Sequence, residues 1–243
     1  MRNRLLVAFV GLLTVTIAGQ TLSAQTVGPR VKTAQETFDF GVVPQDAHVS
    51  HVFWLRNTGD QELQIEKLQP NCGCTQVPLD DKNVAPGDST RVELIFSTGN
   101  FHGHVTKFAQ IISNSTGRAP ALEFHADVHP DSLPTGPIAV VPRAISLDEM
   151  RPDKTDKGYR LVVTLKNTTD HAIRVTSVDL PDRMVTVRPF DLNIAGLGEY
   201  KFIISFDDDL PGAEFYRSIT FTTTDESQPR VSIPIFKTKR WNN

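Results

Sequence analysis

From about residue 35 onward, apolar side chains recur at every second position in short runs. Val92, Leu94 and Phe96 alternate with Arg91, Glu93 and Ile95, and Phe53 and Leu55 alternate with Val52, Trp54 and Arg56. That period puts successive side chains on opposite faces of an extended chain. It predicts strands over 38–42, 49–56, 61–68, 75–79, 90–96, 105–113 and 121–128. Turn residues punctuate them: Asn57-Thr58-Gly59-Asp60, Ala85-Pro86-Gly87-Asp88, and the stretch 114–119. The three-to-four spacing of an amphipathic helix does not occur.

The same pattern returns further along the chain. Val52 to Asp60 lies over Val162 to Asp170 at an offset of 110 residues. The offset holds for Leu63 and Ile65 over Ile173 and Val175, and for Val92, Leu94 and Phe96 over Phe202, Ile204 and Phe206. It slips to 109 where Pro120, Leu122 and Phe124 meet Pro229, Val231 and Ile233. Ala109 and Ile111 match Ile219 and Phe221, and these, with Phe53, Leu55, Leu63, Ile65, Val92, Leu94, Phe96 and their counterparts, are assigned to inner faces. Two copies of one unit therefore follow each other. About seven short strands per copy, each with one buried face, predict an all-β protein of two tandem immunoglobulin-like β-sandwich domains. The expected boundaries are 35–128 and 143–238, joined by a linker over 129–142 that contains four prolines. Trp54 stands in a run that is apolar on both sides, Val52-Phe53-Trp54-Leu55, and is placed in the core.

The first 24 residues read differently. Arg2 and Arg4 precede an apolar stretch from Leu5 to Ala18, and Thr21-Leu22-Ser23-Ala24 offers small residues for cleavage. This is the layout of a signal peptide, so the protein is expected to be exported, periplasmic or secreted. No other stretch is apolar enough over 18 or so residues to span a bilayer. Removing residues 1–24 takes away two arginines and no acid, which moves the formal charge from −3 to −5. A nucleic-acid partner would want a basic face, so none is expected.

Candidate chemistry is confined to the first copy. It holds both cysteines, in Asn71-Cys72-Gly73-Cys74-Thr75, where the second copy has Pro181-Asp182-Arg183-Met184-Val185. Three readings of Cys72 and Cys74 stand side by side. Two thiolates one residue apart can chelate Cu(I) or Zn. They can close a small strained disulfide, more oxidising than a structural one. Or they pack as thiols at a strand turn. Of the seven histidines, six lie in or beside this copy: His48, His51, His102, His104, His125 and His129. Counting alternating strand directions sends Cys72, Cys74, His48, His51, His102, His104 and His129 to one end of the sandwich, so the histidines are candidates to complete a metal site. Solvated loop histidines are the plainer alternative, and His51 aligns with Leu161, as a packed side chain would. Asp207-Asp208-Asp209 with Gly212 lacks the regular ligand spacing of a calcium loop and reads as a solvated turn. There is no Gly-x-Ser-x-Gly, His-Glu-x-x-His or phosphate loop.

Taken in order, Phe38-Asp39-Phe40-Gly41, the Asn-Thr-Gly-Asp turn, Asn71-Cys72-Gly73-Cys74-Thr75, Ala85-Pro86-Gly87-Asp88 and Ile112-Ser113-Asn114 resemble a bacterial family known as domain of unknown function 1573. The resemblance covers roughly Gln35 to Val128 and implies an exported immunoglobulin-like domain with no assigned activity. The expected function is that of a non-enzymatic binding or structural module of the cell envelope, with a protein partner and no cofactor. The alternative is a thiol-dependent Cu- or Zn-binding or redox protein that uses Cys72 and Cys74.

Overall fold

The computed structural model describes residues 28–130, 136–149, 153–155, 158–180, 185–188, 192–206 and 215–238. The expected signal segment and the Asp207–Asp209 turn lie outside them. Every regular element among the described residues is a strand. In the first half these are β1 (Val31–Lys32), β2 (Thr37–Pro44), β3 (His48–Asn57), β4 (Leu63–Pro70), β5 (Thr75–Gln76), β6 (Asn83–Val84), β7 (Ser89–Ser97), β8 (Gly103–Ser113) and β9 (Ala121–His129). In the second they are β10 (Ile138–Val141), β11 (Ile145–Ser146), β12 (Asp153–Thr155), β13 (Gly158–Asn167), β14 (Ile173–Asp179), β15 (Val185–Arg188), β16 (Leu192–Ile194), β17 (Glu199–Phe206), β18 (Phe215–Thr223) and β19 (Arg230–Lys237).

The pairing repeats as the sequence does. One sheet of the first half runs β1-β3-β7-β5, and its counterpart runs β10-β13-β17-β15, with β12 added beside β13. The other sheet runs β2-β9-β8-β4-β6, and its counterpart β11-β19-β18-β14-β16. In both halves the early strand joins the last one in parallel, β2 to β9 and β11 to β19. The two halves meet where β19 pairs with β2 at Val231 and Val42, which makes one ten-stranded sheet across the molecule.

Alternation explains the core. Phe53, Leu55, Leu63, Ile65, Val92, Leu94, Phe96 and Ile111 are buried in one cluster, with Phe38, Phe40 and Phe124. Val163, Leu165, Ile173, Val175, Phe202, Ile204, Ile219 and Phe221 form the other. Phe206 ends β17, and its side chain lies outside the described residues. The shared Asn-Thr turn has a shared bonding pattern. Asn57 Nδ2 donates to the carbonyls of Gln61 (2.7 Å) and Val84 (2.9 Å), and Asn57 Oδ1 accepts from Gly59 N (3.0 Å). Asn167 does the same with His171 (2.7 Å), Ile194 (3.1 Å) and Thr169 (2.9 Å). One buried amide thus ties the end of a strand to the turn that follows and to a short strand of the facing sheet.

Two expectations fail here. Trp54 is not in the core; it is 55% exposed. Phe53 and Leu55 take the inner face of β3, so period two sends Trp54 to the outer face. That face is covered only in part, by the second half. The stretch 129–142 is also not all linker, because Ile138–Val141 forms β10 against β13. It is an edge strand, the position in a sheet that tolerates neighbouring prolines.

Candidate functional site

The cysteine turn is the crossing from one sheet to the other. β4 ends with Pro70 opposite Ala109 of β8. Asn71 continues that edge: its N–H donates to Phe108 O (3.0 Å), and its Oδ1 accepts from Phe108 N (3.2 Å). Three residues later the chain is in the facing sheet, where Cys74 O accepts from Ser97 N (2.9 Å) and Thr75 pairs with Phe96. Cys72 and Cys74 are joined by a disulfide across this corner, with Cα atoms 5.3 Å apart. Cys74 packs against the core cluster. Gly73 is exposed, and a methyl group added there would meet nothing within 4 Å. The buried Thr75 hydroxyl lies 3.4 Å from Cys72 Sγ and 3.8 Å from Cys74 Sγ. Closing so short a loop stabilises a fold by only about 1.5 kcal/mol on the chain-entropy account.

The candidate histidines sit on β3, on β8, on β9 and in the loop before β8. His48 pairs with Ser97 on the side of β7 away from Cys74, and its ring stacks on Tyr216 at 4.2 Å. His51 stacks on Phe38 at 3.6 Å and meets Phe53 edge-on at 4.8 Å. His102 is exposed in the loop before β8. His104 lies on the outer face of β8, its ring 5.7 Å from that of His125. Thr106 Oγ1 bonds His125 Nδ1 at 2.9 Å, and His125 Nε2 lies 3.1 Å from Glu123. Among the described residues no three His, Cys, Asp or Glu side chains gather to hold a metal. The cysteine sulfurs are joined to each other, and sulfurs in a disulfide are not thiolate ligands.

What the sequence reading missed is the seam between the halves. β3 lays its outer face against β18. Ser50 N donates to Ser218 Oγ (2.7 Å), and Ser218 Oγ donates to Ser50 O (2.7 Å). Ser232 Oγ donates to Phe40 O (2.6 Å), and Val42 packs against the second core. At Gly41, φ is +62°, and a methyl group would overlap the carbonyl oxygen of Arg230. Glu93 pairs with Arg217 across the seam and with Arg91 (3.4 Å) on its own strand. Burial nevertheless pushes the Glu93 carboxyl up from its ordinary range, against the pull of both arginines. Burial, aided by Arg230, depresses the His51 pKa from 6.5 to about 3. Arg230 also sits over the Phe38 ring, 4.6 Å from its centre.

Two clefts flank the seam. One, of about 150 Å³, is lined by His51, Val52, Trp54, Asp179, Leu180 and Ser218 among others. The other, of about 520 Å³, is lined by His48, Gln76, Glu93, Ile95, Tyr216 and Arg217 among others. The signal for the seam was present in β3: Val52 and Trp54 are apolar on the face that alternation assigns to solvent.

Two facing sheets per half, with an early strand parallel to the last, define the protein as an immunoglobulin-like β-sandwich of the all-β class. Residues 31–128 match the model of the family described as "Protein of unknown function (DUF1573)", and that segment is a domain of this family. The chain is similar to a protein of unknown function from Porphyromonas gingivalis W83, at 12% identity and a TM-score of 0.37, over 86% of this chain and 99% of the other. It is also similar to WR4, an MSP family member of C. elegans, at 15% identity and a TM-score of 0.32, over 43% and 100%. A third similar structure is the periplasmic chaperone SfaE, at 10% identity and a TM-score of 0.29, over 86% and 99%. No curated protein matches the sequence.

Proposed function

We propose that the protein is an exported, non-enzymatic module of the cell envelope. In this reading residues 1–24 direct export, and sandwiches over 35–128 and 143–238 act together through protein–protein contact. The observation that carries it is the seam. Serine hydroxyls, an ion pair and a backbone contact at Gly41 hold the two sandwiches as one body. The buried hydroxyls of Ser50, Ser218, Thr220 and Ser232 are engaged with backbone or with each other, which suits scaffolding better than nucleophilic chemistry. Trp54 stands half in solvent at the mouth of a cleft, and an amphipathic ring of that kind is a frequent anchor in protein interfaces.

The test is site-specific photo-crosslinking in cells producing the full chain, followed by fractionation. A crosslinker replacing Trp54 should trap a discrete envelope protein. The same group replacing Leu197, which is 77% exposed on the second sandwich, should not. Identical crosslinks from both positions, or a chain retained in the cytoplasm, would overturn the reading.

A further inference from the structure

We infer that Cys72–Cys74 is an exchangeable disulfide that oxidises dithiols of a protein partner, with the Thr75 hydroxyl stabilising the departing thiolate. The first support is an internal control. In the second half β14 lies in one sheet and β15 in the other, and β15 pairs with β17 as β5 pairs with β7, with no cysteine in the sequence between them. The fold does not need the sulfurs there. The first crossing is also held without them, by the Asn71–Phe108 bonds on one side and the Cys74–Ser97 bond on the other. Breaking the S–S bond leaves those anchors in place.

The second support is the chemistry at the corner. Cys72 is partly exposed beside an exposed Gly73, which gives an incoming thiolate room. Cys74 leans on the core, so attack falls on Cys72. Thr75 is buried with its hydroxyl beside the disulfide, 3.8 Å from Cys74 Sγ, which leaves in the first step below, and 3.4 Å from Cys72 Sγ, which leaves in the second. A hydroxyl that donates to sulfur favours the thiolate, and a better thiolate leaves faster. In the first step a partner thiolate bonds to Cys72 Sγ and the S–S bond breaks, expelling Cys74 as a thiolate. In the second, the partner's other thiolate attacks its own sulfur in the mixed disulfide and expels Cys72. The partner dithiol loses two electrons and two protons and becomes a disulfide; Cys72 and Cys74 gain the electrons and end as thiols.

The experiment mixes the oxidised full chain with a reduced dithiol peptide, quenches in acid, alkylates and weighs the products. One peptide disulfide should form for each chain that loses its own, with the circular dichroism unchanged. Thr75→Val should slow the transfer about threefold, the effect of about one pKa unit in the leaving thiol when the rate follows thiol pKa with a slope near one half, and Thr75→Ser should restore it. The double variant Cys72→Ser/Cys74→Ser should be inactive and melt near the parent. The inference is overturned if the disulfide resists excess dithiothreitol until the chain unfolds, if Thr75→Val transfers at the parent rate, or if the double variant melts far below the parent.

Discussion

Gly41 and Gly87 both have positive φ, +62° and +85°, but for different reasons. Gly87 turns the chain between β6 and β7, and a methyl group there meets nothing within 4 Å, whereas at Gly41 it strikes the backbone of Arg230. Gly87→Ala should lower stability by about 1 kcal/mol, the strain of the left-handed region alone. Gly41→Ala should lower it by about 2–4 kcal/mol, because the seam must also shift. Urea midpoints of the two variants separate these contributions. His51 makes the seam pH-sensitive. Its folded pKa of about 3 lies below the ordinary 6.5, so the unfolded chain binds more protons between those values. Its contribution is complete above about pH 6.5 and is lost as pH falls toward 3. The expected loss is about 2–3 kcal/mol between pH 7 and pH 4.5, partly offset by Glu93, whose raised pKa works in the opposite direction. His51→Phe should flatten the urea midpoint over that range; an unchanged slope would remove His51 as its source.

At the scale of elements, the strands follow from alternation, and the stability of each half can be tested at matched positions. Leu94 lies at the centre of β7, fully buried, and Leu94→Ala should lower stability by about 2–5 kcal/mol. Asn57→Ala and Asn167→Ala should each lower it by about 1–3 kcal/mol, because each strands carbonyls of two different segments. Similar values for the two asparagines in thermal unfolding would mark the turn as the common clasp of the repeat. The strands of the first half were legible to within two residues at most ends, because one face of each is buried and period two records it. β1, β6 and β10 were not. They are short edge strands with little alternation to show, and β10 sits in a proline-rich stretch.

At the scale of the molecule, the seam brings the two cores together, and we expect them to unfold as one cooperative unit. Glu93 carries the charge that Arg217 and Arg91 both face, so Glu93→Ala leaves two arginines without it in a partly buried place. We expect a loss of about 2–3 kcal/mol and faster amide exchange at Ser50, whose N–H is bonded to Ser218 across the seam. Loss confined to the first sandwich, with exchange at Ser50 unchanged, would mean that the halves unfold independently.

The sequence by itself determined the all-β class, the duplication, the inner-face residues and the placing of both cysteines in one short turn. Those properties depend on local chemistry: side-chain period, turn residues and residue spacing. Val52 and Trp54 marked the outer face of β3, but only the tertiary structure decided what covers it. It put Trp54 at the mouth of a cleft, His51 against Phe38, and the two sulfurs in a disulfide. An outer face has no partner written in its own strand; its partner lies about 170 residues away, at Ser218 for Ser50. Alternation distinguishes inside from outside within one sandwich. It does not record how two finished sandwiches meet, because that contact rests on a few serines, one glycine and an ion pair that local spacing does not mark.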